Sequence, residues 1–520
     1  MKIDYDYCIV GCGVSGTYLG SELNKTCRGK KILFIDKKDY VGGRLNSITG
    51  PKNQGDIRYE LGGMRFFEAI HPLVVELIKE LGLESVVVPE SPPTNITQLR
   101  SLSIENKELF SKIHGRYFLK ENANKLFPKL NKIIENEITK MDKSSSLNDM
   151  VRTYAGRKKL FATNELTGKS FMDVVFNNDL GIGLSSEQWD LYNDILNYND
   201  VFQRSINFVI AAIENLALNG VDSPQLFVVD GYNMIAKKLL KNVLNDNKHA
   251  QYYPNTELIT FDEKSDCTQL SIKTNNKTYN ITVSELFLCI PQNEVSHIDS
   301  IPADYISLYR DNIIQYDLFK MFITYPKAFL KDKNITQGRN KTSSPLNQCW
   351  LYNEGADTYT ILIYAVSNLA NYWKPFLPSK NQDSFRDFNK KTDEQLISLV
   401  NNNLKEVFGL TDKEIPQPTQ LAYHYWYNGF GAWNSFDKHS ATSTRSIPAI
   451  QSQLIYPFGK DKNIVYLNND ISFNQGWVEG CLEIVNDYME ERKIRESKKD
   501  SDLFKVSKGP VSYNNFLYCN

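Results

Sequence analysis

The stretch Tyr5-Asp6-Tyr7-Cys8-Ile9-Val10-Gly11-Cys12-Gly13-Val14-Ser15-Gly16, continued by Thr17 to Asn24 and Lys31 to Ile35, decides the fold class. An apolar run, a glycine turn, a helical run and a second apolar run ending at Asp36 predict a βαβ unit. Each glycine has its own reason: Gly11 makes the tight turn, Gly13 lets backbone approach a pyrophosphate, and Gly16 lets helix and strand pack closely. The phosphate would then sit on a helix N-terminus. Asp36 ends the second strand 20 residues beyond Gly16. A carboxylate there can accept hydrogen bonds from ribose hydroxyls, which favours FAD or NAD over NADP. The alternative, an ordinary structural glycine turn, leaves the strand context and Asp36 unexplained.

Outward from that unit, 520 residues with 41% hydrophobic and 12% aromatic content suffice for two or three globular domains. The balance of 60 Lys+Arg against 61 Asp+Glu, a formal net charge of -1, argues against nucleic acid or an anionic membrane as the partner. The N-terminus runs directly into a strand pattern, so secretion is disfavoured. The longest apolar stretch, Phe208 to Leu218, is interrupted by Glu214 and Asn215 and is too short to span a bilayer. Cys8, Cys12, Cys27, Cys267, Cys289, Cys349, Cys481 and Cys519 stand singly and read as reduced thiols, so an intracellular, cytoplasmic location is expected. None of the six histidines forms a metal-type pair or a Ser/His/Asp pattern, and no metal site is expected. His424, in an aromatic strand, reads as a core residue.

Helical periodicity in Leu126 to Met141 and Val201 to Leu218 marks a helical insertion. A helix from Met234 to Leu244 precedes hairpin strands at Glu257 to Asp262, Cys267 to Thr274 and Lys277 to Thr282, and a buried strand at Leu286 to Ile290. Alternation at Leu318 to Thr324 and Tyr359 to Val366 suggests a second sheet. A strand at Ile464 to Leu467 leads to a helix from Gly476 to Met489, after which the Lys/Glu/Ser-rich chain reads as a solvated tail. Nothing repeats at a fixed period.

Three further motifs select among dinucleotide enzymes: Val41-Gly42-Gly43-Arg44, Glu60-Leu61-Gly62-Gly63-Met64-Arg65-Phe66, and Ile464 to Asp470 followed by Gln475-Gly476-Trp477-Val478-Glu479-Gly480. In this order the set resembles the FAD-dependent amine oxidase superfamily, and within it the L-amino acid oxidases, over nearly the whole chain. The resemblance implies an α/β fold. It consists of a Rossmann-like, GR2-type FAD-binding domain discontinuous in sequence (1–70, 221–300, 440–490), a mixed α+β substrate-binding domain (71–101, 301–439) and a helical insertion (102–220). Residues 491–520 form a charged tail outside it.

It also implies site roles. Gly11, Gly13 and Gly16 would hold the FAD pyrophosphate, Asp36 the adenosine ribose, and the backbone of Leu258 the adenine. Gly43, Arg44, Gly63 and Met64 would contact the phosphate or flavin side. Asp470 and Trp477 would close over the ribityl chain and ring, although Asn469-Asp470 stands where the family has Gly-Glu and Cys481 where Ala is usual. Lys320 matches the lysine that holds a water near flavin N5. Trp433 and Trp477 would flank the substrate amine as aromatic walls. Ala432 stands where monoamine oxidases carry a flavin-linking cysteine, so the FAD should be non-covalent.

Arg65 matches the arginine that forks to a substrate α-carboxylate, and Tyr352 would add a hydroxyl contact. A structural ion pair is the other reading of Arg65. The helical stretch Asn122 to Asn219 has no histidine, so hydride transfer without a protein base is the simpler expectation. The implied reaction is oxidative deamination of an L-amino acid to a 2-oxo acid, ammonia and hydrogen peroxide, with molecular oxygen as co-substrate. Two alternatives stay open: a monoamine or polyamine oxidase, and a flavin-binding structural protein without turnover. A homodimer is a further expectation.

Overall fold

The structure, a computed structural model, describes residues 2–50, 58–99, 102–108, 224–326, 333–352, 358–378, 380–434 and 446–506, with residues 329 and 330 and parts of 132–211. The first strand, Tyr5–Val10, turns at Gly11 into the helix Val14–Thr26 and returns as Ile32–Ile35. Its residues Cys8 to Val10 are buried on both faces, as a parallel strand covered by helices requires. Parallel pairing runs through Gln251–Tyr253, Ile32–Ile35, Tyr5–Val10, Lys277–Leu288 and Ile464–Tyr466. The strands Thr256–Glu263 and Thr268–Thr274 extend this layer as an antiparallel meander, so the 12-residue strand Lys277–Leu288 belongs to both parts.

The second sheet has eight strands, in the order Gln382–Asp387, Gln420–Trp433, Ile313–Pro326, Thr358–Val366, Gln348–Tyr352, Gly338–Lys341, Ile96–Leu99 and Leu102–Glu105. Phe319, Met321 and Ile323 face a core closed by the helix Lys390–Phe408, whereas Phe322 points into an aromatic cluster with Tyr59 and Tyr352. The two faces follow from alternation along one strand.

Two expectations change. Leu102–Glu105, placed at the start of a helical insertion, pairs instead with Ile96–Leu99 and closes the edge of the eight-stranded sheet. The stretch read as a charged tail from residue 491 continues the helix that starts at Val478 as far as Val506. Lys, Arg and Glu are good helix formers, and Arg492 is anchored to Glu285 through two bonds of 2.7 and 2.8 Å. The helical readings of Leu126 to Met141 and Val201 to Leu218 fall mostly outside the described residues; Phe208 to Ala211 are helical. No helix among the described residues is long and apolar enough to cross a membrane.

Candidate functional site: a cavity between two glycine loops and two sheets

Gly11 holds φ at 98°, and a Cβ there would sit 2.6 Å from the Cys289 carbonyl. At Gly16 a Cβ would lie 2.0 Å from the Gly11 carbonyl, so helix and strand can close only on glycine. Gly13 is different. Nothing in the protein comes closer than 3.8 Å to the position of its missing Cβ, and the residue lines a cavity of about 500 Å³. The chain's own packing does not demand a glycine there, and the open space at the helix N-terminus leaves room for a ligand. Gly43, at φ 60°, approaches Gly13 from the second glycine loop, and Gly13 and Gly42 are bridged in parallel.

The cavity is lined by Asp36, Thr256 and Leu258, by Lys320, Tyr364 and Trp426, and by Met64 and Arg65. Asp36 accepts from the backbone N–H of Cys12 at 2.7 Å and of Lys38 at 2.9 Å. Burial raises its carboxyl pKa, and these two N–H groups oppose that rise. Each oxygen retains acceptor capacity for a ribose hydroxyl. These features fit FAD: a glycine floor at a helix N-terminus, a carboxylate beside it and a channel between the sheets.

Arg44 also lines the cavity and is fixed from behind. It donates to Asp470 at 2.7 Å, Asn468 at 2.9 Å and the Gly429 carbonyl at 3.2 Å. Burial opposes its charge, but Asp470 beside it outweighs that and keeps the guanidinium protonated. Asp470 therefore differs from its expected role. It is fully buried, takes Arg44 on one oxygen and the Tyr309 hydroxyl on the other, and does not line the cavity. The short 3-10 helix Asn469–Ile471 turns Asp470 inward and leaves Asn468 and Asn469 on the wall.

Lys320 is 3% exposed. Its ammonium donates to the Gly62 carbonyl at 2.5 Å and the Glu60 carbonyl at 3.2 Å, and stands 4.7 Å from the Tyr364 ring centre. Burial pushes its pKa down, the Glu60 carboxylate opposes this, and Arg65 adds to it. Trp426 donates its ring N–H to Leu61 at 2.7 Å, so the sheet holds the carbonyls of three successive residues before Gly63.

Two aromatic expectations separate. Trp477 lines the cavity, backed by Phe67 and by His71 at 4.6 Å between ring centres. Trp433 does not line it. It is 1% exposed, with its ring N–H on the Ser472 carbonyl at 2.8 Å. Neighbours in a strand point to opposite faces; Ala432 takes the cavity side, so Trp433 takes the core. Tyr425, Trp426, Tyr427 and Phe430 are the aromatics of this segment on the wall. Tyr352 is likewise displaced, packed against Tyr59 and Phe322 at 5.9 and 5.7 Å between ring centres and away from the cavity. Arg65 is buried on the wall, donating to Gln225 at 2.9 Å and lying 3.7 Å from Glu90.

Sequence reasoning passed over His424 and Asn381, both on the cavity wall. The pairing of strand 420–433 with 313–326 puts His424 opposite Lys320, and a correct register would have shown it. Among the described residues no His, Cys, Asp or Glu cluster suits a metal ion.

Comparison with known proteins agrees with this geometry. The chain is 24% identical to an uncharacterized protein of Acanthamoeba polyphaga mimivirus, over 94% of this chain and 93% of that one. It is 23% identical to Aplysianin-A of Aplysia kurodai (92% and 89% covered) and to Achacin of Lissachatina fulica (82% of each). Among solved structures, a redesigned putrescine oxidase superposes with a TM-score of 0.66 at 14% identity, covering 95% of this chain and 99% of that one. Cyclohexylamine oxidase from Brevibacterium oxydans gives 0.64 at 13%, covering 93% and 97%. At such identities these two likenesses show the fold. The family model of the flavin containing amine oxidoreductases matches residues 26–483, from the end of the first helix through the Gly42-Gly43 loop to beyond Trp477, and the chain belongs to that family.

Proposed function

We infer that this flavin amine oxidoreductase acts on L-amino acids, releasing a 2-oxo acid, ammonia and hydrogen peroxide. The observation that carries the reading is the charge around Arg65. Glu90 faces Arg65, Arg339 and Lys341: Arg339 lies 2.6 Å from it and Arg65 3.7 Å. All three cations hold its pKa down against burial. Burial and then Arg339 push Lys341 down to about 7. Of these groups Arg65 lines the cavity, and its guanidinium suits a substrate carboxylate geometrically.

The chemistry FAD supplies when bound is acceptance of a hydride from the substrate Cα, with return of the electrons to oxygen. The residues that would hold it are Gly11, Gly13, Gly43 and Arg44 at the phosphates, Asp36 at the ribose, Leu258 at the adenine, and Gly63 and Met64 beside the ring. Trp426 and Trp477 would orient the amine, and Lys320 would hold a water. Attachment is taken to be non-covalent. Ala432 carries no thiol, and although Cys289 and Cys481 line the cavity, burial raises both thiol pKa values and suppresses the nucleophilic thiolate.

A second reading, oxidation of a carboxylate-free amine, is favoured by the partners Arg65 already has in Glu90 and Gln225. A peroxide-coupled assay of the FAD-replete protein against the twenty proteinogenic L-amino acids and their decarboxylated amines decides between them. Turnover confined to the amines would overturn the first reading.

A further inference from the structure

We propose that His424 takes the proton that the substrate ammonium must lose before its Cα–H bond can break, and passes it to solvent through Asp383. Strand pairing sets Tyr364, Lys320 and His424 in one row across three strands, and all three line the cavity. The His424 ring lies against Trp426, with centres 3.9 Å apart and planes tilted by 34°, which restrains its orientation.

Its tautomer follows from the hydrogen bonds. Asn381 accepts the Tyr425 backbone N–H on its carbonyl oxygen at 2.9 Å, so its NH2 group faces the ring. Nδ2 of Asn381 lies 3.2 Å from His424 Nε2, which therefore accepts. The ring proton is then on Nδ1, donated to Asp383 at 2.5 Å. This places a lone pair at Nε2, on the cavity side with Asn381, and a carboxylate on the far side. Asp383 does not line the cavity, and its side chain is 42% exposed. The pair thus crosses the wall from cavity to solvent.

An amine oxidised by hydride loss must present a neutral nitrogen, while amines and amino acids are ammonium ions near neutrality. In the step proposed, R–NH3+ gives its proton to Nε2, leaving R–NH2 and an imidazolium. The imidazolium then releases Nδ1–H to Asp383 and water, leaving the neutral ring protonated on Nε2; before the next turnover Nε2 gives that proton to water in the cavity and Nδ1 takes one back from Asp383 and solvent, which resets the tautomer. No electrons move; the pair leaves later with the Cα hydrogen. The neutral amide of Asn381, at 3.2 Å, is a weaker donor than an ammonium, which can replace it at Nε2.

Charges facing the ring act in both directions. Asp383, on the strand 382–387, brings a negative charge to Nδ1. Lys320, on the strand 313–326, brings a positive one opposite the ring, though burial weakens that ammonium's hold on its own proton. Tyr40, in the loop after Asp36, has its hydroxyl pKa raised by burial first and by the Asp383 charge second. On the ring's own strand the Tyr425 hydroxyl is taken by Asp317 at 2.8 Å.

The inference rests on amine oxidation and not on the carboxylate reading of Arg65. Anaerobic stopped-flow reduction of FAD-replete protein is measured from pH 6 to 10 with whichever L-amino acid or decarboxylated amine of the panel reduces the wild type fastest. His424→Gln should be slower by about 10²-fold at pH 7, the scale of a lost proton acceptor, and recover toward wild type at pH 10, where solution itself supplies neutral amine. Asp383→Asn, a change at the surface, should show a smaller loss with the same recovery. An independent readout is proton release to an indicator dye on binding 2-aminoisobutyrate or tert-butylamine, matched to the substrate class; lacking a Cα–H, these bind without reacting. Wild type should release close to one proton per site, and His424→Gln should not. A loss uniform across pH with unchanged proton release would overturn the proposal while leaving amine oxidation intact. A wild-type flavin that no compound of the panel reduces would sink both.

Discussion

Replacing Arg65 by Met separates the two substrate readings, and its magnitude can be worked from the site. The side chain is buried, and its loss removes a 2.9 Å bond to Gln225 and a 3.7 Å ion pair to Glu90. Glu90 keeps Arg339 at 2.6 Å, so no carboxylate is stranded, and Met refills most of the volume. The fold should therefore lose only about 1 to 2 kcal/mol, the worth of one buried hydrogen bond and a long ion pair. A substrate carboxylate would lose a desolvated, charge-assisted partner worth about 2 to 4 kcal/mol in the transition state, or roughly 30- to 900-fold in kcat/KM. The matching decarboxylated amine, which has nothing to offer the guanidinium, should change by less than about threefold. Peroxide-coupled kinetics on both substrates, with flavin content checked by absorbance, give the comparison. Equal losses on the two substrates would refute the reasoning and assign Arg65 to structure alone.

Substitution at the glycines should divide by position. Gly13→Ala meets no protein atom nearer than 3.8 Å, so the apoprotein's Tm should hold within about a degree while FAD affinity, read by fluorescence titration, falls at least about tenfold. Gly16→Ala, with its methyl 2.0 Å from a backbone oxygen, should lower Tm by several degrees without FAD present. Asp470→Asn leaves Arg44 without its countercharge and should cost about 3 kcal/mol in urea unfolding. Glu479, buried at the start of the helix Pro72–Glu80, has its pKa raised to about 7 by burial against the N–H groups of Leu73 and Val74. The native state then binds more protons than the unfolded one between about pH 4.5 and 7, so this group's stabilisation is present below that window and lost as pH rises through it. Unfolding free energies should show that decline in the wild type and not in Glu479→Gln.

What the sequence made legible was what steric exclusion and alternation decide locally. Gly16 excludes a Cβ because Gly11 of its own turn comes within 2.0 Å, whereas Gly13 meets no protein atom nearer than 3.8 Å and was legible from the spacing of the motif. The period of two in Leu318 to Tyr325 sufficed to set Lys320 and Phe322 apart from Phe319 and Met321. What failed depended on partners distant in the chain. Whether Ala432 or Trp433 faces inward is set by the register of strand 420–433 against 313–326, which carries an irregularity between Tyr316 and Leu318. Asp470 turns away because Arg44, 426 residues earlier, pulls it inward. His424 was read only as a core residue because Asn381 and Asp383 lie 43 and 41 residues before it and show no spacing signal. Trp426 and Tyr352 illustrate the same limit, since an aromatic-rich strand pattern does not say which ring meets a cavity.

The strand Lys277–Leu288 carries a consequence for biogenesis. Its outer neighbour in the parallel layer, Ile464–Tyr466, is synthesised some 176 residues later. At about 5 to 20 residues per second, a nascent chain holds the edge of Leu286, Phe287 and Leu288 unpaired for roughly 10 to 35 seconds. That interval is long against the microseconds in which a hairpin closes. An apolar, hydrogen-bond-hungry edge exposed so long is an invitation to pair with a neighbouring chain. Yield in a heterologous host should therefore be governed by translation speed and chaperone supply more than by the stability of the finished protein.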